Sequence, residues 1–227
     1  MATNYTYSYF RVSKSEEIHQ SAHKYRDLRL QALQVSPESF ASTYETESAF
    51  TENDWINRLT DPGYEVFICA ATCHRSSSSE PNTIEWVGQV TLRGPASSQD
   101  FTLPAASCQP PQKPDSEEER WQMLSLFTLP EHRGNGLGAN LCQEALDYLR
   151  KYRVSPPSIH VRLMARPENQ VAVKLYQRLG FIAAGNCCLS EALVANGDGH
   201  LLPKDLSATK WSTRAGLIMS LWIDRSA

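Results

Sequence analysis

The chain has 227 residues, of which 41% are hydrophobic and 21% charged, with a formal net charge of −3. This is ordinary globular usage for one generous domain, or for one domain carrying insertions. It excludes the broad basic excess of a nucleic-acid or membrane-surface binder, and no apolar run approaches the ~20 residues of a membrane-spanning helix. Cys69, Cys73, Cys108, Cys142, Cys187 and Cys188 form no paired knuckle, so no metal site is expected. The opening Met-Ala-Thr-Asn-Tyr has no basic region leading into an apolar core, so no signal peptide is read. A cytoplasmic protein with reduced thiols is expected, the nucleus being compatible with the same pattern.

Thr6 to Val12 alternates aromatic and β-branched residues and predicts a first strand. Ser13-Lys14-Ser15-Glu16 has capping-box spacing, with Ser13 as the cap and Glu16 reaching back. A helix should follow to about Val35, its inner face carrying Ile18, Ala22, Tyr25, Leu28 and Ala32, and Ser36-Pro37 should end it. Thr51 and Asp54 signal a second helix start, ahead of Trp55, Ile56 and Leu59. Asp61-Pro62-Gly63 is a turn. Tyr64 to Thr72 and Ile84 to Leu92 read as hairpin partners, joined by a polar connection from Ser76 to Asn82.

The stretch from Gly94 to Glu119 holds five of the thirteen prolines and few core formers, so it reads as a flexible insertion. Its acidic end, Glu117-Glu118-Glu119, reads as a solvated charge run. Met123 to Leu129 is a short apolar strand, and Pro130 stops it. Glycines 134, 136 and 138 follow, and Leu137, Leu141, Ala145 and Leu149 then recur every fourth residue on a helix. Beyond them come a strand from Ser158 to Ala165, a helix capped by Asn169 and ended by Gly180, and a strand opening at Phe181. A second flexible insertion is expected over 190–210, before a last strand from Leu217 to Ile223. One domain spanning 1–227 is expected, with its two insertions at 94–119 and 190–210. His19 and His23 are spaced like metal ligands but lack the Glu between them, so a solvated face is the simpler account. His132 is expected to point to solvent.

A strand, a glycine-rich turn and a helix aim free backbone N–H groups and a positive helix end at one spot, which suits a phosphate. Arg133 adds a donor fork. No Lys-Ser/Thr follows the glycines, so this is not a P-loop, and Gly-x-Gly-x-Gly is not the dinucleotide spacing. What fits is Arg-x-x-Gly-x-Gly, read at Arg133, Gly136 and Gly138.

The run from Leu126 to Gly138 resembles the acetyl-CoA-binding motif of the GNAT (Gcn5-related N-acetyltransferase) superfamily, and Asn169 to Phe181 resembles that family's Asn-x-x-Ala-x-x-Leu-Tyr-x-x-Leu-Gly-Phe block. The resemblance covers roughly residues 10 to 225. It implies a mixed α/β (α+β) fold with a mostly antiparallel sheet of about seven strands, splayed between its fourth and fifth, and about four helices. It implies a co-substrate, acetyl-CoA, and an amine acceptor. The implied co-substrate residues are Leu126, Phe127, Thr128, Arg133, Gly134, Asn135, Gly136, Leu137, Gly138, Ala139, Asn169 and Tyr176. A backbone N–H near Phe127 or Thr128 would meet the oxyanion, and Tyr176, matching the family tyrosine that faces the sulfur, would serve the leaving thiolate. Residues 29–40 resemble an opening stretch of one GNAT group, in which this helix and the next wall the acceptor site.

An alkylamine near pKa 10 is protonated at neutral pH, so a base or a dry pocket must free its lone pair. Gln122 stands where histone-acetylating members place a carboxylate, which favours a small-molecule amine over a protein lysine or N-terminal amine. Glu45, Glu65, Glu85, Glu118 and Glu119 are open candidates for the base, as is a water chain. The alternatives are a protein or peptide N-acetyltransferase, and a CoA-sensing module without turnover.

Overall fold

The computed structural model describes residues 4–74 and 83–225. The expected polar connection from Ser76 to Asn82 lies outside the described residues. Seven strands form one sheet in the order β1-β2-β3-β4-β5-β7-β6. They are β1 (Asn4–Arg11), β2 (Tyr64–His74), β3 (Ile84–Ala96), β4 (Glu118–Thr128), β5 (Ser158–Ala165), β6 (Ile182–Cys187) and β7 (Gly216–Asp224). Every pairing is antiparallel except β4 with β5.

Among the described residues there are seven α-helices: α1 (Ile18–Val35), α2 (Tyr44–Ser48), α3 (Glu52–Thr60), α4 (Ser98–Phe101), α5 (Leu137–Tyr152), α6 (Gln170–Arg178) and α7 (Leu189–Ala195). The four longest are those that periodicity predicts. The other three, α2, α4 and α7, have 5, 4 and 7 residues, too short for a periodic signal to show.

Helix α1 begins later than its capping pattern suggests. Ser13 Oγ accepts from the N–H groups of Ser15 (3.4 Å) and Glu16 (3.1 Å), closing a local turn. Glu17 is left-handed, so the helix starts only at Ile18. Further on, α3 has the full capping box of Thr51 and Asp54. The stripe of α5 is buried at Leu137, Leu141, Ala145 and Leu149, and each such leucine contributes about 1.5–3 kcal/mol against β2, β3 and β4.

The pairing of β4 with β5 runs from Glu118↔Ser158 to Met123↔Leu163 and stops. Beyond that point β4 pairs only with β3. That ladder jumps from Gln89↔Phe127 to Thr91↔Leu124, so Ser125 and Leu126 oppose Val90 alone, a β-bulge. Ser125 sits there at φ +60°, a left-handed conformation uncommon for a residue with a side chain.

The lower half of the same strand differs from expectation. Glu118 and Glu119 are 2% and 3% exposed, inside β4, not on a solvated run. Trp121 Nε1 and Arg225 Nη2 both donate to Glu119 Oε1 at 2.7 Å, and Trp222 Nε1 donates to Glu118 at 3.0 Å. Residues 97–117 lie between β3 and β4 and hold fixed partners. The buried Arg120 donates to Gln112, to Asp115 and to the Lys113 carbonyl. The Arg162 guanidinium stacks on Phe101 of α4 at 3.8 Å and donates to that residue's carbonyl at 2.6 Å.

Candidate active site

Where β4 and β5 part, a cavity of about 600 Å³ opens between the strand ends, α5 and α6. Eleven of the twelve residues expected from the two motifs line it: Leu126, Phe127, Thr128, Arg133, Gly134, Gly136, Leu137, Gly138, Ala139, Asn169 and Tyr176. Asn135 does not. Its amide donates to the His132 carbonyl at 3.0 Å, fixing the turn from within. His132 also departs from expectation: it is 2% exposed, 3.1 Å from the Tyr7 hydroxyl and edge-on to Tyr5.

The turn is shaped for close approach. Gly134 and Gly136 have φ of +85° and +73°, and a Cβ on either would meet nothing within 4 Å. Gly136 is the N-cap of α5 and no side chain caps that helix, so its first N–H groups face the cavity without a side-chain partner. Arg133 anchors Nε on the Thr128 carbonyl at 3.1 Å and reaches Ser36 Oγ with Nη2 at 3.5 Å, the side chain as a whole remaining exposed. The arrangement can bind an anionic, phosphate-bearing group.

On α6, Asn169 Oδ1 accepts from Ala172 N–H at 3.2 Å, the expected cap, and its side chain also lines the cavity. Tyr176 is 9% exposed, with its ring edge-on to Phe181. Its hydroxyl makes no hydrogen bond to the described residues, and burial pushes its pKa well up, so it stays a proton donor. All six cysteines are free. Burial pushes the Cys142 thiol near Tyr176 up to about 12, which makes it packing, not a nucleophile.

A second cavity of about 590 Å³ lies on the other side of the parted strands. It shares Ser39, Met164, Ala165 and Arg166 with the first, so the two meet across the gap. Arg29 and residues 37–42 wall it, as the resemblance implies for an acceptor site. Cys187, Cys188, Leu189, Ala192, Asn196, Asp198 and Gly216 also line it. A third cavity, of about 200 Å³, joins it along Leu124, Ser125, Asn196 and Asp198.

Between these cavities lies a buried ion network that sequence reasoning missed. Arg29 donates to both oxygens of Glu47, at 3.0 and 2.6 Å, and to Ser125 Oγ at 3.3 Å. Its cation also lies 4.6 Å over the Phe40 ring. Burial pushes the Glu47 carboxyl up, but the charge and bonds of Arg29, with Arg58 beyond, more than reverse this and hold it below the ordinary range. Arg58 also reaches Asp198 at 3.0 Å. Burial raises the Asp198 carboxyl and Arg58 only partly offsets it.

None of the carboxylates open as bases lines either cavity at the gap. Glu118 and Glu119 are in the closed end, Glu65 is paired with Arg11 and Lys14 at 2.6 and 2.9 Å, and Glu45 and Glu85 are exposed. Gln122 accepts from Arg162 at 2.7 Å. His19 and His23 are exposed and approach only Glu52, and no group of three metal-ligating side chains exists among the described residues.

The strand pair that opens halfway, the bulge at the opening and the uncapped helix beyond it all lie within the span of one family match. Residues 85–181 match the model of the acetyltransferase (GNAT) family, and both motifs fall within that span. No curated protein matches the sequence. Among solved structures, the chain is similar to the NAA60 protein of Arabidopsis thaliana, crystallised with a bisubstrate analogue, at 14% identity and TM-score 0.53 over 96% of this chain and 100% of that one. It is similar to a GNAT-family acetyltransferase from Streptococcus pneumoniae at 13% identity and TM-score 0.51, covering 96% and 99% of the two chains. A putative acetyltransferase from Acinetobacter baylyi ADP1 matches at 12% identity and TM-score 0.53, covering 97% and 95%. At such identities these likenesses carry the fold alone.

Proposed function

We propose that the protein is an N-acetyltransferase moving acetyl from acetyl-CoA to the primary amine of a small molecule, by direct attack in a ternary complex. One observation carries this: eleven motif residues line a single cavity at the point where β4 and β5 part. Acetyl-CoA is a substrate here, and the residues fit it. The turn from Arg133 to Ala139 offers bare N–H groups and a guanidinium to the pyrophosphate. Leu126 to Thr128, released from β5, offer strand backbone to the amide-rich arm, and Asn169 offers its side chain. A backbone N–H near Phe127 or Thr128, close to the bulge, stabilises the carbonyl oxygen as negative charge develops. The Tyr176 hydroxyl gives its proton to the departing sulfur.

The size of the acceptor-side cavity, about 590 Å³, is within the range of small-molecule sites and supports that acceptor class. Calorimetric titration of acetyl-CoA into the folded chain should show one-to-one binding, and its absence sinks the proposal. Tyr176→Phe should lower kcat by roughly 10²-fold or more, with acetyl-CoA affinity kept. Unchanged turnover would remove Tyr176 from the mechanism.

A further inference from the structure

Asp198 is the single titratable residue common to the two acceptor-side cavities, the others being Leu124, Ser125 and Asn196. Arg58 Nη2 occupies one of its oxygens at 3.0 Å, and the other accepts no hydrogen bond from the described residues. Its backbone is fixed, the N–H donating to Leu193 O and the carbonyl accepting from Leu201 N, each at 2.9 Å. Tyr64 and Arg93 hold the preceding loop through the carbonyls of Asn196 (2.9 Å) and Ala195 (3.1 Å). A free carboxylate oxygen is therefore held rigidly beside the bulge at Ser125. In the smaller cavity, Thr91 supplies a second, independent sign of a polar ligand. It is 2% exposed, and its hydroxyl has no partner among the described residues.

We propose that Asp198 binds the ammonium of the acceptor and takes its proton, and that Thr91 hydrogen-bonds a polar group elsewhere on the same small alkylamine. This rests on the acetyltransferase reading above and names its base and acceptor class. One proton passes from the ammonium to the Asp198 carboxylate. The freed lone pair forms the C–N bond to the acetyl carbon, and the C–S bond breaks. The second nitrogen proton reaches the sulfur through the Tyr176 hydroxyl, and Asp198 returns its proton to water through the open cavity. The groups facing Asp198 are Arg58 from α3, Glu47 from α2, Arg29 from α1, Tyr64 from β2 and His200 from its own loop. Burial raises the carboxyl, which moves it toward the pH at which a base works best.

The test measures thiol release by the full chain with acetyl-CoA and ethanolamine, 3-aminopropanol, agmatine or n-butylamine. The wild type should turn over at least one of the three polar amines. Asp198→Asn should lower kcat/KM about 100-fold or more with acetyl-CoA affinity within about twofold. Its residual rate should follow the free-amine fraction alone, without the further acidic limb that ionisation of Asp198 should give the wild type. Thr91→Val should raise KM about tenfold for the polar amines and leave n-butylamine unchanged. Should Asp198→Asn fail to fold, Asp198→Ser takes its place, with acetyl-CoA affinity reporting the native state. Asn or Ser variants within threefold of wild type would overturn the proposal, as would no thiol release from any of the four amines when acetyl-CoA binds. Failure of the wild type to bind acetyl-CoA overturns the acetyltransferase reading instead.

Discussion

The two halves of β4 make opposite uses of buried polarity. From Glu118 to Met123 the strand is zipped to β5, and its charges are spent within the protein, on Arg225, Trp121, Trp222 and the segment 97–117. From Leu124 to Thr128 it is unzipped and bulged, with backbone groups, Tyr176 and Asp198 left facing cavities. A charge that is paired on every side stabilises a single arrangement. A polar group left unpaired costs stability and is kept where a ligand completes it. Substitutions in the two halves should therefore separate folding from function.

The largest effect is expected in the closed half. Glu119→Ala takes the carboxylate from Arg225, whose side chain is 4% exposed and keeps only the carbonyls of Pro156 and Leu149, and should cost about 3–5 kcal/mol in urea unfolding. The acetyl-CoA affinity of the chains that remain folded should not move. A loss below about 1 kcal/mol would mean that Arg225 finds water or another partner.

Acid should strike the same half. His160 is 1% exposed, and burial, with Arg162 and Arg120 nearby, pushes it down to about 3. Glu118 lies 3.8 Å from the ring, too far for a hydrogen bond, and is already engaged by Arg120 at 3.4 Å. Since the unfolded histidine binds a proton near pH 6.5 and the folded one does not, stability from this residue is present above about pH 6.5. It should fall by about 1.4 kcal/mol per pH unit as pH drops toward 3. His160→Gln, which can still bond Ser220 Oγ, should flatten that slope in thermal scans.

The open half was the more legible of the two in sequence. Its glycines, Asn169 and Tyr176 follow local spacings, because a turn and a helix face are set by neighbours in the chain. The closed half could not be read that way. Glu118 and Glu119 look like the end of a solvated run because His160 of β5, Trp222 of β7 and Arg225 just beyond β7 are brought alongside by the topology, not the spacing. Asp198 was hidden for the same reason. Asn196-Gly197-Asp198-Gly199 lies inside the stretch 190–210 expected to be a flexible insertion, and only the pairing of β6 with β7 returns that segment to Ser125 and Arg58.

At the opening itself, Gly136→Ala should cost roughly tenfold in acetyl-CoA affinity. The left-handed conformation at φ +73° costs a residue with a Cβ about 1–2 kcal/mol, and the added methyl has open space, so no packing in the protein is disturbed. Thermal stability should fall only slightly. A large loss of stability with affinity unchanged would place the turn among the elements that hold the fold, as in the closed half.

The smallest effect separates the two segments expected to be flexible. Residues 97–117 are tied down by α4 and by buried arginines at the closed end, so their bonded amides should exchange slowly. Residues 203–213 border the cavity at the open end through Lys210 and Thr213, and most of the segment is exposed. Hydrogen exchange should therefore be fast there in the free protein. It should slow by a few-fold when acetyl-CoA and a bound amine fill the gap, with 97–117 unaltered. Equal exchange in both segments, bound and free, would mean that the division of β4 into a sealed half and a working half stops at the strand and does not extend to the loops that cover it.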